Sequence, residues 1–292
     1  MRRFLLLLAI AIPLLWLGGC SEHDHKQLRI AANPWVGFTP IVYAQQKGWL
    51  DELDIKFLWV VGLEESIKLY KQGLADGFVG TQYEFYSLKE RQDLQPYFLF
   101  DRSSGADVIL SNVSLETLHQ SERIDAYLEI TGLNKDLMQA FMAQYGMDCN
   151  KTLLHSSDPE SLSLMKPGSD PSLLIAYEPY ATLIEANGFK RLASTREITQ
   201  MMVIDALWLN KVSAEEHRGE LEAFAQILQR AIERLHADPR EYYDTVKSYL
   251  KNQSYEEFRS SLEGIEWINR TPPPEVMSFL KREGIPLGAL IP

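Results

Sequence analysis

Leu28-Arg29-Ile30-Ala31-Ala32-Asn33-Pro34-Trp35-Val36-Gly37-Phe38-Thr39-Pro40 reads as a strand, a loop and the start of a helix. Leu28 to Ala32 is a short apolar run of buried-strand character. Asn33 to Phe38 is a loop with two aromatic rings and a glycine. Thr39-Pro40 supplies an N-cap and a first-turn proline, and Gly48 ends the helix that follows. The unit recurs downstream. Ile55 to Val61 is a second strand, leading to a helix over Glu64 to Gln72 with Gly73 as its C-terminal stop. Gly77 to Gly80 and Val108 to Ser111 are further short strands with helices between them. Such alternation predicts an α/β fold with a largely parallel sheet.

The middle of the chain repeats this logic, with strands over Arg123 to Ile130 and Leu173 to Ala176 and a helix over Lys135 to Tyr145. The last third is helical. Ser213 with Glu216 reads as a capping box, and Leu221, Phe224, Leu228, Ile232 and Leu235 form one apolar stripe. Ser254 with Glu257 repeats the capping device, and Pro272-Pro273-Pro274 forces an extended turn before a final short helix. There is no internal repeat and no low-complexity tract.

The chain opens with Arg2 and Arg3, then an uncharged apolar run from Phe4 to Leu17 that closes in Gly18 and Gly19. This is the pattern of a secretory signal peptide. The run is shorter than the roughly 20 residues a spanning helix needs, and Pro13 interrupts it. Leu17-Gly18-Gly19-Cys20 is similar to the lipobox of bacterial lipoproteins, which implies cleavage before Cys20 and a diacylglyceryl group on its sulfur. Residues 1–19 are then a signal peptide and 20–27 a lipidated tether. The product is an exported lipoprotein, anchored to a membrane and facing the periplasm or the cell exterior. Ser21 leaves inner and outer membrane both open. His23 and His25 flank Asp24 in the polar tether, where solvation outweighs metal binding.

Charge and cysteine content narrow the function. Loss of residues 1–19 removes two of 29 basic side chains against 40 acidic ones, taking the net charge from −11 to −13. So acidic a chain, with no basic face in its sequence, is no nucleic-acid binder. Cys149 is the one cysteine left beside Cys20, so no intramolecular disulfide forms and the fold rests on its core. At 46% apolar residues there is ample material for one. No Ser-His-Asp arrangement, P-loop or paired-cysteine metal pattern occurs, so the sequence argues against an enzyme and calls for no cofactor or metal.

The opening segment, continued by Ala44, Lys47-Gly48 and Leu50, resembles the start of the periplasmic binding proteins of ABC importers for nitrate, sulfonates, taurine and thiamine (pyrimidine) precursors. The resemblance extends through Glu65-Ser66, Gly73-Leu74-Ala75-Asp76-Gly77, Ser104-Gly105 with Asp107-Val108-Ile109, Tyr177-Glu178-Pro179-Tyr180 and Asp205-Ala206-Leu207. It departs at Leu118-His119-Gln120-Ser121-Glu122-Arg123, where many relatives carry a Leu-Lys-Gly-Lys linker. The resemblance implies a two-lobed type 2 periplasmic binding protein fold with a ligand cleft between the lobes. Residues 28–107 and 204–292 would form the first lobe and its C-terminal helices, and 108–203 the second.

Ligands of open α/β sheets lie beyond the carboxyl ends of strands. That places Trp35, Gly37 and Phe38, then Tyr83 and Glu84 beside Gln82, then Ser104 and Gly105 beside Ser103, at the cleft. From the second lobe come Glu129, Thr131, Glu178 and Tyr180, and from the return strand Asp205. Trp35 and Phe38 either cover a flat or cationic ligand or pack their loop onto the lobe. Four acids, Glu84, Glu129, Glu178 and Asp205, face one arginine, Arg102, in the matching loops. If they converge, the ligand is an amine or a zwitterion, and bare nitrate or sulfonate is repelled. The partners this implies are a small nitrogen-containing molecule (an amine, an amino sulfonate or a thiamine pyrimidine precursor) and an ABC permease with its ATPase. The alternative is a tethered sensor subunit signalling to a membrane partner.

Overall fold

Strand β1 (Leu28–Ala32) is almost wholly buried and pairs in parallel with β2 (Ile55–Trp59) on one side and β3 (Gly77–Thr81) on the other. Helices α1 (Thr39–Gln46) and α2 (Leu63–Lys71) make the crossovers, and α3 (Gln82–Ser87) follows β3. These coordinates are a computed structural model that describes residues 27–268 and 272–291. The expected signal peptide, Cys20 and the tether up to residue 26 lie outside the described residues. No described helix is long and apolar enough to cross a membrane.

The chain continues into β4 (Leu94–Ser103) and crosses to a second sheet at β5 (Asp107–Ser111). There α4 (Leu115–Gln120), β6 (Ile124–Leu128), α5 (Leu133–Gln144), β7 (Thr152–Ser156), α6 (Pro159–Leu164), β8 (Ser172–Tyr177), α7 (Tyr180–Ala186) and β9 (Lys190–Ser194) complete a five-stranded sheet of order β7-β6-β8-β5-β9. The return strand β10 (Val203–Asn210) re-enters the first sheet. Helices α8 (Lys211–Glu216), α9 (Arg218–Ala237), α10 (Pro239–Val246) and α11 (Tyr255–Leu262) follow, then strand β11 (Ile265–Trp267) and helix α12 (Pro274–Arg282). The first sheet has the order β11-β4-β10-β3-β1-β2. Two α/β lobes result, as the alternation and the resemblance predict.

The sheets are mixed rather than largely parallel. β10 runs antiparallel to both β3 and β4, and β5 runs antiparallel to both β8 and β9. The reversals follow from the two crossovers, because each strand that enters or leaves a lobe must return beside its neighbour. β4 itself escaped the sequence reading because Pro96 sits inside it. The register slips next to Pro96, between Leu207 and Trp208, where a missing N–H is tolerated.

Each face of the first sheet carries a core. On one, Phe38, Tyr43, Phe100, Phe224, Tyr242 and Phe258 pack together, and the stripe predicted from Leu221 to Leu235 is buried on α9. On the other, Phe78, Phe85 and Trp208 meet Leu280 of α12. The Ser254–Glu257 capping box is present on α11. The one expected at Ser213 is absent, because α8 begins earlier and is capped by Asn210, whose side chain accepts from the Val212 N–H. Thr39 likewise lies inside α1, and its hydroxyl donates to the Val36 carbonyl.

Candidate functional site

The antiparallel register places Asp205 of β10 opposite Asp101 of β4 on one side and Thr81 of β3 on the other. Two carboxyls opposite each other in a sheet repel. Here both are buried, and the neighbouring Asp101 carboxyl adds to burial in holding the proton on Asp205. Trp35 Nε1 donates to Asp101 Oδ2 at 3.4 Å. Asp107, at the start of β5, brings a third carboxyl, and the Asp107 N–H donates to Ser103 Oγ. Burial lifts Asp101 to about 8 and Asp107 to about 7, and neighbouring charge adds to both. Asp205 is raised well above the ordinary range by burial and by Asp101, Asp107 and Glu84.

No basic side chain bonds to Asp101, Asp107 or Asp205 among the described residues. Arg102 turns away and pairs with Glu266 of β11 at 3.5 Å. Asp101 Oδ1, Asp107 Oδ2 and Asp205 Oδ2 are buried without a partner, as are Asn33 Oδ1 and Asn134 Oδ1. The two amide oxygens are acceptors, and the carboxyl oxygens become acceptors as their groups ionise. Buried acceptors without donors are costly, and several together are unusual.

The aromatic loop closes over this cluster. Trp35 meets Tyr177 edge to face at 6.0 Å, and Asn33 Nδ2 donates to Tyr177 Oη at 3.3 Å. Tyr249 Oη accepts from the Trp35 N–H and donates to the Asn33 carbonyl, which fixes the loop. Gly37 leaves room for this contact: a Cβ would stand 2.0 Å from Asp101 Oδ2 and 2.4 Å from Trp35 Nε1, so one of those side chains would have to move. Phe38 turns the other way, into the first-lobe core against Phe100 at 5.2 Å, so it packs its loop and does not face the cleft.

Glu84 and Glu129 both bridge the lobes. Glu84 Oε2 accepts from Thr81 N–H and Oγ1 in a capping box on its own helix, while Oε1 accepts from the Leu133 N–H of α5 at 2.9 Å. Glu129, just past β6, accepts through Oε1 from the Glu64 N–H of α2 at 2.9 Å. Its Oε2 takes Asn134 Nδ2 and Tyr177 Oη. Burial raises both carboxyls, Glu129 to about 8. Tyr180 also spans the cleft, donating to the Val61 carbonyl at 3.3 Å.

The other predicted residues sit elsewhere. Glu178 is buried, but it faces Arg191 at 3.0 Å, Thr182 and Gln253, so it serves a separate polar cluster. Tyr83 packs half-buried against the second-lobe core, and Thr131 is exposed. Ser104 and Gly105 lie in the crossover itself, where the Gly105 N–H donates to Thr195 Oγ1 at 2.8 Å and that hydroxyl pairs with Ser103 Oγ at 2.9 Å. Asp101, Asp107, Asn33, Asn134 and Tyr177 are the site residues that sequence reasoning missed. The acidic pair flanking Ser103-Ser104-Gly105 was the available signal.

At the cleft mouth a recess of about 490 Å³ is lined by Gly62, Glu64, Lys68, Glu129, Ser157 and Asp158, from both lobes. Among the described residues no group of three or more His, Cys, Asp and Glu side chains is arranged to hold a metal ion.

No family model matches the chain, and no curated protein does. Solved structures do. The ligand-binding component of an ABC-type import system from Staphylococcus aureus, with zinc bound, is 14% identical over 88% of this chain and 91% of its own, at a TM-score of 0.69. The alkanesulfonate-binding protein of Xanthomonas axonopodis pv. citri, bound to MOPS, is 13% identical over 91% and 96%, at 0.65. The periplasmic nitrate-binding protein of Synechocystis PCC 6803 is 12% identical over 80% and 68%, at 0.61. At these identities the likeness is one of fold, that of periplasmic binding proteins.

Proposed function

We propose that the chain is an exported, lipid-anchored substrate-binding protein that takes a small nitrogen-containing metabolite in the cleft and delivers it to an ABC importer. The observation that carries the reading is the set of buried oxygens without a partner on Asn33, Asp101, Asp107, Asn134 and Asp205, with no basic side chain among the described residues bonded to the three aspartates. Such a cluster, beside Trp35 and Tyr177, asks for N–H donors and, once its carboxyls ionise, for a positive charge. An amine, an amidine or an aminopyrimidine supplies both. A simple oxyanion supplies neither. The fold shared with import-system receptors supports the transport role, and Leu17-Gly18-Gly19-Cys20 supports the anchor. Binding would add to the stability of the closed arrangement of the lobes.

The test is a melting-temperature screen of the full chain in detergent with primary amines, aminopyrimidines, amino sulfonates, nitrate and methanesulfonate. Cationic and donor-rich compounds are expected to stabilise it. A hit confined to nitrate or methanesulfonate would sink the reading. Labelled palmitate incorporation that is lost in Cys20→Ala checks the anchor. That same cysteine favours a second reading, a tethered sensor bound to one fixed membrane protein. Copurification of a permease or of a signalling protein separates the two.

A further inference from the structure

We infer that Glu84 and Glu129 are internal counter-ligands: a reciprocal latch that closes the cleft without any added molecule and holds oxyanions out of it. The inference concerns how the cleft closes, and it stands whichever ligand the acidic cluster takes.

A helix N-terminus exposes N–H groups that want an anion or a capping side chain. Two such ends point into this cleft, those of α2, nine residues long, and α5, twelve residues long. Both lack a side-chain cap, because the capping residue is a glycine in each case, Gly62 for α2 and Gly132 for α5. The cap comes from the other lobe instead. Glu129 of the second lobe accepts from α2 of the first, and Glu84 of the first accepts from α5 of the second, each at 2.9 Å.

The glycines are shaped to this exchange. A Cβ at position 62 would lie 2.3 Å from Glu129 Oε1, and one at position 132 would lie 2.0 Å from Glu84 Oε1. Any other residue at either cap would push the incoming carboxylate out. Gly132 also holds a φ of +68, which L side chains rarely adopt. Each glutamate is fixed on its own lobe by its second oxygen, Glu84 by Thr81 and Glu129 by Asn134 and Tyr177. Both arms are therefore oriented before the lobes meet. In a receptor closed by its ligand, a bound anion would supply this bridge. Here the oxygens of the protein's own carboxyl groups occupy both positions, and a free oxyanion meets a filled site.

The experiment measures the inter-lobe distance by double electron–electron resonance on the full chain in detergent. One spin label sits on Cys149, exposed on the second lobe, and the other on Leu74→Cys, exposed on the first. With no ligand added, the otherwise unchanged protein should give one narrow, closed distribution. Glu84→Ala with Glu129→Ala should move it to a longer, broader one, the closed-to-open ratio falling roughly tenfold per cap removed. Should the double variant fail to fold, Glu129→Gln alone, of the same shape, should give a smaller shift in the same direction. In parallel, melting with sodium methanesulfonate against sodium chloride should stabilise the double alanine variant and leave the wild-type cleft unmoved. An open wild type without ligand overturns the latch, as does a double variant as closed as the wild type. Equal methanesulfonate stabilisation of both overturns the exclusion. Failure of every amine in the screen would leave these results standing, so the two ideas fail separately.

Discussion

Asp107→Asn tests the central electrostatic claim with the least change of shape. Asp107 is 2% exposed, and its carboxyl is lifted from 3.8 to about 7 by burial. A carboxyl whose folded value lies above its unfolded one holds its proton more tightly in the native chain. It stabilises the fold fully below about pH 4, and that contribution drains away as pH rises through 7. With those two values the linkage removes about 2.6 kcal/mol between pH 5 and pH 8, or about 5–10 °C in melting temperature for a chain of this size. Asp101, Asp205, Glu84 and Glu129 are raised as well and act in the same direction. Wild-type stability should therefore fall from pH 5 to pH 8. The asparagine variant removes one titrating group, so its curve should be flatter by about 2–3 kcal/mol over that range. Any cost of placing an amide there is the same at every pH and cancels. The assay is urea unfolding at four pH values and constant ionic strength, for both proteins. Parallel curves, or stability that climbs over the range, would refute the reasoning.

Three further outcomes follow from the same site. A cationic ligand favours the ionised carboxyls, so binding should release protons and tighten between pH 6 and pH 8 by up to about tenfold per pH unit for each proton lost, as calorimetry in buffers of different ionisation enthalpy would show. Gly37→Ala should cost about 1–3 kcal/mol in chemical denaturation, since its methyl has to displace Trp35 or Asp101. Arg191→Met strips Glu178 of its cation at 3.0 Å and should cost about 2 kcal/mol at pH 8 and less at pH 5, with Glu178→Gln restoring most of the loss.

Local signals were readable in the sequence, and closure was not. The run from Leu28 to Pro40 carries its strand, loop and helix start within a dozen residues, so periodicity and turn chemistry suffice. The α9 stripe and the Ser254–Glu257 box are equally local. β4 is different. Pro96 argues against a strand on any local rule, and only the slipped pairing with β10 accommodates it. Losing β4 hid Asp101, and Asp107, a lone acid at a strand start, reads as a solvated charge. Glu84 and Glu129 stood out as cleft acids, yet their partners are backbone N–H groups 49 and 65 residues away, on helices whose N-cap is a glycine. No spacing rule connects those pairs, since they meet only once two lobes have folded and come together.

The Thr195 hydroxyl has a mechanical meaning. It accepts from Gly105 in one crossover and pairs with Ser103 beside it, while Thr195 itself belongs to the other crossover. Two connecting segments riveted at one point cannot swivel separately. In the closure proposed above, that point is the single axle, and rocking about it brings both glutamate arms home in the same stroke.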